Sequence, residues 1–153
     1  MSKTRYIVLL GCVGGLTACA HLPQLALHPD GLSPSEHVTL GHTYEARGEK
    51  ELALREYRAA YDQDAHSYPA LMALGETAYN QGAWAKARAY FRKALKGVPG
   101  DPSAINNLAM VDLGEGKHLK RARDSLEKAL PTAGALKPYL EDTLASIQNV
   151  QTK

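Results

Sequence analysis

Cysteine is almost absent from this chain: it occurs at Cys12 and Cys19 and at no later position. That excludes a disulfide framework or a thiolate metal site in the body of the protein. Large aromatic side chains are scarce too, with one tryptophan and one phenylalanine among 153 residues, so a core has to be built from tyrosine, leucine and alanine. Long apolar runs are missing. The longest, Tyr6 to Leu16, would make about 16 Å of helix, roughly half of a 30 Å hydrocarbon core, and a permanent membrane span is not expected. Neither sign of charge dominates: 18 lysines and arginines stand against 16 acids, a balance that argues against a nucleic-acid partner. What is present, 44% hydrophobic and 22% charged residues, is ordinary for a folded body with room for one domain or one short array.

Lys3 and Arg5 precede the apolar run, and residues 1–18 contain no acid. A short basic start, an apolar stretch and small residues make the layout of a secretory signal peptide. The stretch closes with Leu16, Thr17, Ala18 and Cys19, which resemble the lipobox of bacterial lipoproteins. The resemblance implies cleavage before Cys19, diacylglycerol on its thiol and acylation of the new amino group. Several chains are needed because a single one anchors only marginally, each buried methylene adding about 0.8 kcal/mol. Ala18, Cys19 and Ala20 also satisfy the A-x-A pattern of an ordinary export signal, so plain secretion stays open beside lipidation. Ala20 is not the Asp that retains members of that family in the inner membrane, so the resemblance implies an outer-membrane anchor with the body facing the periplasm. Removing residues 1–18 leaves sixteen bases and sixteen acids, and the net positive charge belongs to the export signal. Residues 19–33, with Pro23, Pro29 and Gly31, read as a lipidated N-terminus and tether.

Beyond Ser33 the chain repeats itself. Leu40, Leu74 and Leu108 are spaced by 34 residues, and Gly48, Gly82 and Gly116 keep the same interval. Each leucine is followed by a small residue, Gly41, Gly75 or Ala109. Each of those later glycines is followed by an alanine and a large apolar residue four positions on: Ala53 and Tyr57, Ala87 and Phe91, Ala122 and Leu126. A further alanine follows at 60, 94 and 129. One inserted residue between Gly116 and Ala122 puts the second half of the third copy a step late. Ser33, Pro34 and Glu36 make an N-cap, a first-turn proline and a capping-box acid; Asp101 with Pro102 and Ser67 with Pro69 supply similar starts. The glycines at 48, 82 and 116 supply left-handed C-caps.

This period and pattern resemble the tetratricopeptide repeat, a helix–turn–helix unit of about 34 residues. The resemblance implies an all-α, right-handed superhelix of three repeats, 34–67, 68–101 and 102–134, closed by a capping helix over 135–150. Leu71, Leu74, Gly75, Ala87, Phe91, Ala94 and Pro99 make copy two the best match. Copy one departs at His37, in place of an aromatic residue, and at Ala65, in place of a closing proline. Copy three departs at Asp112, where a tyrosine or small apolar residue is usual, and a looser helix pair is expected there.

No enzyme motif is recognisable, and no cofactor beyond the covalent lipid is expected. The glycines at 11–15 lie in the signal peptide and lack the lysine of a phosphate loop. His37 and His42 are five apart and face different sides of a helix, so no metal site is expected. Glu45, Glu49, Glu51 and Glu56 read as a solvated face. Trp84 reads as packing between repeats, and the basic run Lys117, Lys120, Arg121 and Arg123 with His118 as a solvated turn. In the resembling fold the first helices line a concave groove. The positions that map there include His42, Met72, Glu76, Tyr79, Asn80, Asn106, Asn107 and Met110, with the two asparagines expected to bracket a peptide backbone. None is lysine or arginine, so the carboxylate clamp of chaperone-adaptor repeats is not expected. The partner class is another cell-envelope protein rather than a small-molecule substrate. The architecture resembles the small repeat lipoproteins of Tad/Flp and type IV pilus and secretion assembly, including pilotins that accompany secretin subunits. A second reading is an adaptor that recruits peptidoglycan hydrolases.

Overall fold

A computed structural model of the chain describes residues 31–152. The export signal, the lipobox with Cys19 and nearly all of the tether lie outside the described residues. Those described form seven α-helices and two short 3-10 turns, with no strand. The helices are α1 (Pro34–Ala46), α2 (Lys50–Gln63), α3 (Tyr68–Asn80), α4 (Trp84–Gly97), α5 (Pro102–Glu115), α6 (Leu119–Ala129) and α7 (Lys137–Gln151). The 3-10 turns at Leu130–Thr132 and Gly134–Leu136 connect α6 to α7. No helix among the described residues is long and apolar enough to cross a membrane.

The first helix of each pair starts on a side-chain cap. The Ser33 hydroxyl accepts from the Glu36 amide, and the Glu36 carboxylate accepts from the Ser33 amide at 2.8 Å, a complete capping box. Ser67 caps α3 and Asp101 caps α5, the latter accepting from the Ala104 amide at 2.8 Å. Asp101 also accepts a 2.6 Å bond from the Tyr68 hydroxyl at the start of α3, so one carboxylate ends two orphan needs and ties consecutive repeats. The second helices carry no side-chain cap. Their entry is dictated by the glycine turns instead. Gly48, Gly82 and Gly116 all have φ between 69° and 79°. In each turn the next amide reaches back five residues: Glu49 to the Tyr44 carbonyl, Ala83 to Ala78 and Lys117 to Asp112, each at 2.9 Å.

The inserted residue has a visible consequence. In the first two copies the second helix begins two residues after the glycine; in the third it begins three after, and His118 takes φ 56°, the one positive φ on a non-glycine residue among those described. The extra residue is absorbed by a second left-handed step.

Helices pack as three hairpins stacked in sequence, with α7 laid against α5 and α6. Close approach within a hairpin follows a size rule. A Cβ on Gly41 would strike the Tyr57 ring, and one on Gly75 would strike the Phe91 ring. In the third hairpin the small position is Ala109 and its opposite number is the smaller Leu126, both buried in one cluster. Three apolar clusters result, one around Tyr57, one around Phe91, and one around Leu126 that takes in Leu140, Leu144 and Ile147 of α7. The terminal helix thereby covers an apolar face that an unfinished stack would leave wet.

Two polar groups inside this frame correct the sequence reading. Glu56 does not belong to a solvated face: it is buried, and its carboxylate meets His37 Nδ1 at 2.8 Å and Arg55 Nη2 at 2.8 Å. His37, at the position where an aromatic is usual, and Glu56 are thus one substitution made in two places. Burial works against the Glu56 charge, yet its bonds with Arg55 and His37 hold the carboxyl below the usual range. Asp112 is likewise 1% exposed and is not left unpaired: Arg88 of α4 donates to it at 2.8 and 3.1 Å and Arg121 at 2.9 Å, although α5 and α6 remain the least closely packed of the three hairpins, as expected. Arg88 also reaches Glu115 at 2.6 Å. The basic turn is therefore not free as a whole, since Arg121 is tied inward to Asp112 within its own hairpin, while Arg88 reaches the same carboxylate from the preceding repeat.

Candidate functional site

The first helices α1, α3 and α5 touch one another as well as their own hairpin partners, so they form the tighter, inner side of the stack. Between α3 and α5 lies a cavity of about 260 Å³ lined by Glu76, Tyr79, Asn80, Asn107 and Met110, with Phe91 of α4 as its floor. Residues three and four apart share a helix face, which is why Glu76, Tyr79 and Asn80 of α3 meet Asn107 and Met110 of α5. Asn107 Nδ2 donates to the Glu76 carboxylate at 3.0 Å across the groove. The Tyr79 ring stands edge-on to Trp84, centroids 5.3 Å apart, and Trp84 covers Gly114 of the next repeat. Trp84 therefore packs between repeats and fixes the wall that Tyr79 forms.

The groove continues onto α1. The Tyr57 hydroxyl donates to Glu45 at 2.8 Å, which leaves its oxygen to accept from His42 Nδ1 at 2.9 Å. Burial, and then the bond to Glu45, push the Tyr57 phenol well above its ordinary value, so it stays a neutral donor. Glu76 is an exposed residue, yet partial desolvation of its carboxyl likewise raises it, with Glu45 adding to the effect and Asn107 and His42 opposing it.

Two sequence expectations need correction. Met72 is 8% exposed and belongs to the core cluster around Phe91, not to the open lining. Asn106 and Asn107 do not bracket one ligand, because neighbours on a helix point about 100° apart at about 3.6 residues per turn. Asn106 Nδ2 turns to Met110 Sδ on its own helix at 3.7 Å, and its Oδ1 is buried without a hydrogen-bond partner. Phe91 was missed as a lining residue because its spacing marks it as core; it is both, a buried ring with an edge at the cavity floor. Among the described residues no group of three or more His, Cys, Asp or Glu is placed to hold a metal ion.

The architecture is all-α, three helical hairpins and a terminal helix in tetratricopeptide-like packing, with an inner face built from first helices. Residues 38–102 match the family model described as tetratricopeptide repeat. Among solved structures, the chain is similar to the type III secretion translocator chaperone SycD of Yersinia enterocolitica in its alternative dimer form, with a TM-score of 0.68 and 17% identity. That match covers 78% of this chain and 95% of the other, and at such identity it speaks for the fold alone. A curated relative is Protein CTR9 homolog of Arabidopsis thaliana, 28% identical over 100 residues. The match takes in 63% of this chain but spans only 9% of that protein's length.

Proposed function

We propose that this chain is a non-catalytic scaffold which holds a segment of a partner protein in the groove formed by α1, α3 and α5. The observation that carries the reading is the convergence of Glu76, Tyr79, Asn80, Asn107 and Met110 on one cavity, over an apolar floor and between two repeats. Such a site offers hydrogen-bonding groups and apolar surface but no nucleophile with a base beside it and no metal cluster. The residues that precede the body support an envelope location: Lys3, Arg5 and the apolar run have the layout of an export signal, and Cys19 ends a lipobox-like sequence. On this reading the array faces the periplasm from the outer membrane and serves the assembly of a Tad/Flp or type IV pilus or a related secretion machine. The likeness to a secretion chaperone supports a fold suited to holding protein segments, and the lipobox supports the membrane.

Two measurements test it. Wild-type cells fed labelled palmitate should label the protein and Cys19→Ser cells should not; an unlabelled wild type removes the anchor. A photo-crosslinking residue placed at Tyr79 should capture an envelope protein in intact cells, whereas the same probe at outward-facing Ala85 should not. Equal capture at both positions would mean that the groove is not the docking face.

A further inference from the structure

Charge is sorted by helix layer. The inner helices α1, α3 and α5 hold five acids, Glu36, Glu45, Glu76, Asp112 and Glu115, and no lysine or arginine. The second helices α2, α4 and α6 hold twelve bases against five acids. Asp112 and Glu115 are neutralised by Arg88, and Glu36 is used in its cap. Among the described residues Glu76 is not neutralised: it accepts a hydrogen bond from the neutral Asn107, and no lysine or arginine there pairs with it. Its nearest charged neighbour on the adjoining inner helix is Glu45, which is bonded to Tyr57 and beside His42.

Glu76 stands exposed at the rim of the cavity, so its charge is available to a ligand, while the Asn107 contact alone would be served as well by a glutamine. The cavity below it is apolar at its floor and about 260 Å³, under the roughly 300–1,000 Å³ usual for cofactor or drug-sized ligands. A single long side chain suits it better than a small molecule. A lysine or arginine has the required profile, a hydrocarbon stem with a charged tip.

On the reading of the groove as the docking face, we propose that the cavity between α3 and α5 is a receptor for one lysine or arginine of an otherwise apolar partner segment. Its stem lies on Tyr79, Phe91 and Met110, its cationic end meets Glu76, and Asn80 and Asn107 hold the neighbouring backbone. The basic outer layer adds discrimination, as an acidic segment is drawn to the convex side and away from the groove.

The test is selection of phage-displayed random dodecapeptides on the full chain in detergent, followed by fluorescence polarisation with the selected peptides. Wild-type protein should enrich peptides that carry a lysine or arginine next to Leu, Met or Phe. Glu76→Gln, which keeps shape and the Asn107 contact, should weaken these peptides about tenfold, and replacing their basic residue with norleucine should weaken binding to wild type but not to Glu76→Gln. Enriched peptides that are neutral or acidic, or an unchanged affinity for Glu76→Gln, would overturn the proposal. Met110→Ala separates the two levels: neutral peptides that this change still weakens leave the groove standing and remove only the cation. Peptides indifferent to both changes, or no enrichment at all, would remove both.

Discussion

Gly75→Ala is the sharpest probe of how the hairpins close. Gly75 sits in the middle of α3, where alanine should be better than glycine by about 1 kcal/mol on helix propensity alone. The added methyl carbon, however, would lie 2.8 Å from both Cδ1 and Cζ of Phe91, against about 3.5–4.0 Å for an ordinary carbon contact. Phe91 is 1% exposed and enclosed by Leu71, Ala87 and Ala94, so the ring has nowhere to retreat. Overpacking costs about 1–3 kcal/mol, and with three ring atoms closer than 3.0 Å the cost falls in the upper part of that range, about 2–3 kcal/mol, above the propensity gain. The expected net loss is about 1–2 kcal/mol, or a fall in Tm of roughly 4–8 °C for a body of this size. Thermal and urea unfolding followed by circular dichroism at 222 nm would measure it. Three companions set the scale. Gly41→Ala should behave alike, because its methyl meets the Tyr57 ring. Gly114→Ala should be near neutral, since Trp84 lies no closer than 3.1 Å and its outer ring edge has room to tilt. Gly97→Ala, with nothing within 4 Å, should stabilise by up to about 1 kcal/mol. The double variant Gly75→Ala with Phe91→Leu should lose less than the two single losses added together. A Gly75→Ala protein as stable as wild type, or more so, would refute the size rule.

Three further outcomes follow from the buried polar groups and the wall of the groove. Asp112→Ala should cost about 3 kcal/mol in urea titration, because it leaves Arg88 half-satisfied in a dry site, while Arg121→Ala, on a side chain 47% exposed, should cost under about 1 kcal/mol. Glu56 has a depressed carboxyl, so its contribution is complete above the ordinary glutamate value of about 4.3 and is lost as pH falls through and below it. Glu56→Gln should therefore lower stability at pH 7 by about 1–2 kcal/mol and flatten the decline between about pH 5 and 3, read as urea midpoints across that range. Trp84→Ala should cost about 2 kcal/mol through lost packing on Tyr79 and Gly114, and should weaken groove ligands by loosening the Tyr79 wall while leaving helix content by circular dichroism unchanged.

The repeat architecture was legible in the chain because its causes are local and periodic. Ser33, Ser67 and Asp101 cap helices through atoms two or three residues away, and Gly48, Gly82 and Gly116 take backbone angles that other residues resist. The 34-residue spacing then sets small positions opposite Tyr57, Phe91 and Leu126. Even the inserted residue could be counted in advance, although only the backbone showed that His118 absorbs it.

Tertiary structure decided the fate of every polar residue that broke the pattern. His37 and Asp112 each looked like a lone departure until folding brought Glu56, 19 positions away, and Arg88, 24 positions away, against them. The same holds for the groove. Helical spacing placed Glu76, Tyr79, Asn80, Asn107 and Met110 on inner faces, but it could not bury Met72, turn Asn106 back onto its own helix or bring the edge of Phe91 to the cavity floor. A helix face follows from sequence at about 100° per residue, whereas solvent access depends on how far the neighbouring helix intrudes. That intrusion is set by side-chain volumes between repeats, and it leaves Glu76 exposed at the groove while Glu56 is buried against His37 and Arg55.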